Sequence, residues 1–191
     1  MAHITIIGTG SMANAIGGAV ADGGNSVDYV AKDAAAATIV GDIVVLAVPY
    51  PAVDSVIAQY GAQLAGKVVV DITNPLNFET FDSLVVPVGS SAAAEIQAKL
   101  PESRVLKAFN TTFAATLAAK TVGGLPTTVL IAGDDADAKQ QLAAVLTAGG
   151  LGAIDAGALS RAHELEALGF LQLTLAVGEK VGWTGGFAVA R

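Results

Sequence analysis

Residues 8–13 read Gly8-Thr9-Gly10-Ser11-Met12-Ala13, a G-x-G-x-x-A string that follows directly on the β-rich run 4–7. It opens a stretch, 12–22, in which Met12, Ile16, Ala19 and Val20 recur at helical spacing before Gly23-Gly24 ends it. In that strand–turn–helix setting each small residue has its own reason. Gly8 permits a tight turn, Gly10 lets a diphosphate approach the backbone, and Ala13 lets helix and strand touch. The free N–H groups and the positive dipole end at the start of the helix then face an anion. The string predicts a dinucleotide-binding turn at the first strand, and Gly17-Gly18 lets the helix lie close to the sheet.

The rest of the chain alternates short β-rich runs with helix-like segments, the pattern of a parallel sheet flanked by helices. Strands are expected at 26–31, 43–48, 68–72, 105–109, 128–132 and 152–155, with 43–48 apolar throughout as a strand buried on both faces should be. Helices are expected from Pro51 through Leu64, from Ser91 to about Leu100, and over 112–120, 137–148 and 161–181. Residues 76–89 read as irregular and 182–191 as a glycine-rich tail. The fold class is therefore α/β: a Rossmann-type, doubly wound, mostly parallel sheet in one domain spanning 1–191, with a C-terminal helical extension over about 158–191. Only eleven residues, 32–42, separate the second strand from the third, so the usual helix–strand–helix insert is absent and one short helix at 34–40 is all that fits.

Composition removes several classes of function. Ten Lys and Arg against seventeen Asp and Glu give a net charge of −7 with no basic cluster, which disfavours nucleic acid. The chain has no cysteine, so disulfides, thiolate nucleophiles and Cys-type metal sites are excluded, and no metal site is expected. The longest stretch without Asp, Glu, Lys or Arg, residues 1–21, has neither a basic start nor a long apolar centre, so a cytoplasmic protein without a membrane span is expected.

The end of the second strand sets the choice between dinucleotides. Lys32 follows it directly, with the small Ala31 before it, whereas Asp33 suits a helix cap. A cation there favours NADP over NAD. Ligands of open α/β sheets lie beyond the carboxyl ends of the strands, which adds Ala47, Val48, Pro49 and Tyr50 after the third strand and Thr73 and Asn74 after the fourth. No Ser/His/acid set is present. His163, among Arg161, Glu164 and Glu166, reads as a solvated helix residue. Hydride transfer between two bound rings needs alignment more than an acid, so a site without a catalytic side chain suits a flavin-like acceptor.

With these residues in view, the start Ile4-Thr5-Ile6-Ile7-Gly8-Thr9-Gly10-Ser11-Met12, the Ala47-Val48-Pro49 turn, Asp71-Ile72-Thr73-Asn74-Pro75-Leu76 and Lys107-Ala108-Phe109-Asn110-Thr111 resemble the NADP oxidoreductase, coenzyme F420-dependent family. The likeness spans nearly the whole chain, including the closing Gly182-Trp183-Thr184-Gly185-Gly186-Phe187. It implies hydride transfer between NADP and a deazaflavin or flavin, with pyrophosphate on residues 8–13 and the 2′-phosphate on Lys32 beside Ala31. It also implies nicotinamide near Val48, Pro49, Tyr50, Thr73 and Asn74, and an acceptor ring enclosed by Phe109, Asn110, Trp183 and Phe187. A homodimer through the C-terminal segment is implied too. Asn110 stands where some deazaflavin enzymes have histidine, which leaves flavin or another small acceptor open. Pyrroline-carboxylate reductases share the N-terminal motif but add a large helical domain, for which the thirty or so residues after the last strand are too few. The competing reading is a non-catalytic NADP-binding redox sensor.

Overall fold

The computed structural model describes residues 1–31 and 37–190. In chain order the strands are β1 (His3–Ile7), β2 (Ser26–Val30), β3 (Ile43–Leu46), β4 (Val68–Asp71), β5 (Arg104–Lys107), β6 (Thr121–Val122), β7 (Leu125–Pro126), β8 (Thr128–Gly133) and β9 (Gly152–Gly157). The helices are α1 (Ser11–Asp22), α2 (Val53–Leu64), α3 (Ala92–Lys99), α4 (Ala114–Ala119), α5 (Ala136–Ala148) and α6 (Ala162–Val177). Seven strands form one sheet in the order β2-β1-β3-β4-β5-β8-β9, while β6 and β7 make a separate hairpin.

Alternation along the strands builds the three layers. Ile4, Ile6, Ile43, Val45, Val68 and Val70 face α1, α4 and α5. Ile7, Val44, Leu46 and Val69 face α2, α3 and the start of α6. With both faces covered, the central strands carry side chains that gain about 1.5–3 kcal/mol each on burial. The one polar interruption in β1, Thr5, is fully buried, and its Oγ1 accepts the Gly41 N–H at 3.0 Å. Together with the Ile39 N–H donating to Gln63 Oε1 at 2.9 Å, this pins the shortened β2–β3 connection to the sheet.

Several expectations need correction. The sheet is mostly parallel, but β8 pairs antiparallel to β5, and β9 follows β8 in parallel, so the last two strands run against the first five. The cause lies in the connection: the six residues of α4 advance only about 9 Å, and the β6–β7 hairpin folds the remainder back on itself rather than completing a crossover. Residues 37–40 are not helical, so the short helix expected at 34–40 does not extend through them; the rest of that span lies outside the described residues. Pro51 sits in a single 3₁₀ turn, Tyr50–Ala52, and the α-helix begins at Val53. The strand expected to reach residue 109 stops at Lys107, because Phe109 turns into the left-handed region with φ 64°. The last helix ends at Val177, with Gly178 as its C-cap. Among the described residues, no helix is long and apolar enough to cross a membrane.

Candidate functional site

The carboxyl ends of β1, β3, β4 and β5 share one edge of the sheet. The turn at residues 8–13 is built there against its neighbours. Gly8 has φ 129°, and a Cβ on it would lie 2.2 Å from the Ala47 carbonyl oxygen, so neither backbone nor packing admits a side chain. Its N–H donates to the Val30 carbonyl at 2.9 Å, which ties the turn to the end of β2.

Gly10 is different in every respect. Its φ of −77° and ψ of −175° are open to any residue, and a Cβ there would meet nothing within 4 Å. Gly10 is the N-cap of α1 and supplies no side-chain cap, and the first turn holds no acidic residue. The amides at the start of α1 therefore keep their donor capacity and their positive dipole end for an outside anion. Thr9 and Ser11 are exposed, Met12 half-buried, and Ala13 buried against the sheet. Of the two following glycines, Gly17 makes room for Tyr29, whose hydroxyl would lie 1.9 Å from a Cβ, while Gly18 faces open space.

Beside this turn lies a cavity of about 490 Å³ with Met12, Asn74, Phe109, Asn110, Phe113 and Trp183 in its walls, and Ser11 at its edge. It brings together the turn at residues 8–13, the exit of β4 and the exit of β5. Trp183 packs against Phe113 in a tilted contact, with ring centroids 5.0 Å apart and planes at 56°. A larger hollow of about 790 Å³ lies at the opposite, amino-terminal edge, by Ile43, Lys67 and Arg104. Open α/β sheets present ligands beyond the carboxyl ends of their strands, so the cavity beside residues 8–13 is the candidate site.

At the exit of β4, Asn74 and Asn110 form a paired amide. Asn110 Nδ2 donates to Asn74 Oδ1 at 3.0 Å and to the Leu165 carbonyl at 2.8 Å, while Asn74 Nδ2 donates to the Asn110 carbonyl at 2.9 Å. The left-handed Phe109 turns the chain so that Asn110 meets Asn74, a conformation that costs a bulky residue about 1–3 kcal/mol. Two buried side-chain oxygens remain without a partner among the described residues: the Asn110 amide Oδ1 and the Thr73 hydroxyl.

Behind the pair is a buried ionic cluster. Lys107, fully buried, places Nζ 2.8 Å from Asp71 Oδ2, 2.8 Å from Glu166 Oε1 and 2.5 Å from the Thr73 carbonyl. Asp71 Oδ1 accepts the Thr73 N–H at 2.8 Å, and Glu166 Oε2 accepts the Ala92 N–H at 3.0 Å. Burial pushes the Glu166 carboxyl above the usual glutamate range, against the pull of the Lys107 ammonium.

The remaining expected site residues lie apart from the cavity walls. Ala31 is exposed at the end of β2, and Lys32 lies outside the described residues. Ala47, Val48, Pro49 and Tyr50 follow β3 on the correct edge. The Tyr50 hydroxyl, however, donates to Glu95 Oε2 at 2.5 Å, and burial together with that carboxylate pushes the phenol well above its ordinary range. Tyr50 thus anchors its loop to α3. Phe187 is half exposed and does not line the cavity; its N–H donates to Gln172 Oε1 at 3.1 Å. His163 is half-buried rather than solvated, its Nδ1 3.1 Å from the Ser90 carbonyl. Sequence reasoning missed Phe113, Glu166 and Gly169. Glu166 and Gly169 share the buried stripe of α6 with Ala162, Leu165, Gln172 and Ala176, so helical spacing with the small Ala162, Gly169 and Ala176 was the available signal.

Comparison with known proteins gives a consistent set of likenesses. The profile of the family described as NADP oxidoreductase coenzyme F420-dependent matches residues 25–75. An F420-dependent NADP reductase of Methanocaldococcus jannaschii is 33% identical over 149 residues, covering 76% of this chain and 66% of that protein. The metalloreductase STEAP3 of Rattus norvegicus is 36% identical over 106 residues, 56% of this chain but 20% of its own length. A solved structure of an F420-dependent NADP-reductase candidate from Arthrobacter sp. FB24 superposes with a TM-score of 0.86 at 26% identity, covering 100% of both chains.

Proposed function

The chain belongs to the NADP oxidoreductase, coenzyme F420-dependent family, and from that premise we propose that it transfers hydride between NADPH and a flavin or deazaflavin. The observation that carries this reading is Gly10. Nothing among the described residues and nothing in its backbone angles requires glycine there, and a ligand that comes within van der Waals reach of the backbone accounts for the empty volume above it. A diphosphate fits that volume and the uncapped amides of α1.

In this reading residues 8–13 hold the diphosphate, and Lys32 beside Ala31 selects NADP over NAD. The nicotinamide lies toward Thr73 and Asn74. Bound NADPH supplies the hydride. The chain's own contribution is alignment: Phe109, Phe113 and Trp183 give a flat acceptor ring apolar walls that exclude water. No side chain is assigned a proton-transfer step. The acting unit is a homodimer joined through the C-terminal segment, a reading supported by Leu171, Val177 and Phe187, which stay 43–50% exposed.

The test is NADPH oxidation followed spectrophotometrically with coenzyme F420, FMN and FAD supplied in turn. Turnover with one of them, and faster with NADPH than NADH, is the expected result. Tight NADPH binding with no turnover on any of the three would move the assignment to a redox sensor.

A further inference from the structure

We propose that Glu166 of the C-terminal helix is a positioning residue for the nicotinamide end of the cofactor, acting through Lys107 on the Thr73–Asn74 backbone and, with Gly169, on the Asn74–Asn110 amide pair. The inference rests on the assignment of NADP to the turn at residues 8–13.

Lys107 has three protons to donate, and the cluster gives it three acceptors: Asp71, Glu166 and the Thr73 carbonyl. Glu166 in turn is held by the Ala92 N–H at 3.0 Å and the Ala93 N–H at 3.4 Å, at the start of α3. Strands β4 and β5 and helix α6 therefore meet at one ammonium, and among the described residues the one main-chain carbonyl on it belongs to the residue before Asn74. The same face of α6 touches the amide pair directly. The Leu165 carbonyl accepts from Asn110, and a Cβ on Gly169 would lie 2.4 Å from Asn74 Oδ1 and 2.8 Å from the Asn110 carbonyl oxygen.

What this framework holds in place is unfinished. Asn110 lines the cavity, is only 4% exposed, and keeps an Oδ1 with no donor among the described residues; behind the wall, the buried Thr73 hydroxyl also has no partner among them. A buried acceptor left unpaired is costly, so the site lacks an N–H donor, and a carboxamide supplies one. Glu166 and Gly169 fix where that acceptor stands, which makes the C-terminal helix part of cofactor alignment.

The experiment compares two probes by calorimetry: NADPH, and 2′-phosphoadenosine diphosphoribose, which keeps the diphosphate and lacks the nicotinamide. The native chain should bind NADPH roughly tenfold more tightly than the fragment, the worth of one or two hydrogen bonds at the nicotinamide end. In Glu166→Gln that advantage should shrink to about twofold or less while the fragment's own affinity holds within about twofold. Gly169→Ala displaces the same pair without touching a charge, so it should give the same loss and serves if the Gln variant does not fold. An unchanged advantage in the variants overturns the inference. So does equal weakening of both probes, which would mark a structural role, and so does a native chain that prefers neither probe. A native chain that binds neither probe instead overturns the assignment of the turn.

Discussion

Gly8 stands against Ala47 so closely that a Cβ on the glycine would lie 2.2 Å from the Ala47 carbonyl oxygen, with φ at 129°. Gly8→Ala therefore meets both a forbidden backbone region and a clash with main chain that cannot move without disturbing the exit of β3. The expected cost is about 1–3 kcal/mol or more, read as a lower urea midpoint with an unchanged slope.

Lys32→Ala tests the choice of dinucleotide. One charge-assisted contact to a phosphate is worth a factor of about ten, so NADPH should weaken by about that much while NADH is unaffected. Parallel titrations of the two nucleotides check it, and equal losses would remove the 2′-phosphate assignment.

Trp183 is the chain's single tryptophan and packs against Phe113, tilted, at the wall of the cavity. Its fluorescence should be quenched when an acceptor ring binds. Trp183→Ala should raise the acceptor KM about threefold to tenfold and leave the NADPH dissociation constant unchanged, since an aromatic contact contributes about 0.5–1.5 kcal/mol. A variant that loses NADPH and acceptor alike would place the tryptophan elsewhere in the mechanism.

The hydrogen bond from Lys139, then the Gly157 N–H, hold the Asp155 carboxyl below the usual aspartate value. Its folded pKa is depressed, so the stabilisation is present above the unfolded value near 4 and disappears as pH falls through the folded one. The carboxylate is 59% exposed, which limits the contribution to about 0.2–1 kcal/mol. Denaturant melts should show Asp155→Asn less stable than the native chain at neutral pH, with the difference disappearing as the pH falls through the lowered pKa of the folded carboxyl.

The fold and the candidate site were legible in the sequence wherever one local rule acted alone. The turn at residues 8–13 was readable because glycine chemistry and strand–helix context coincide there, and the central strands because a run buried on both faces has one appearance. The antiparallel β8 was not readable, since its direction depends on a six-residue helix and a two-residue-stranded hairpin that leave almost no periodic signal. The strand end at Lys107 was hidden because β-branched propensity gives no warning that Phe109 will adopt a left-handed angle. Glu166 was concealed by company: with Arg161, His163 and Glu164 around it, a charged residue reads as solvated, and its burial is explained by Lys107 on a strand 59 residues earlier and by the amides at the start of α3.

The most direct measurement of the central claim is NADPH calorimetry on the native chain and on Gly10→Val, with a thermal melt of each. A valine at an open, ordinary backbone position should cost no more than about 1 kcal/mol of stability, so both proteins should fold. The native chain should bind NADPH and the variant should not. A native chain without measurable affinity, or a folded variant that binds NADPH as tightly as the native one, would contradict it.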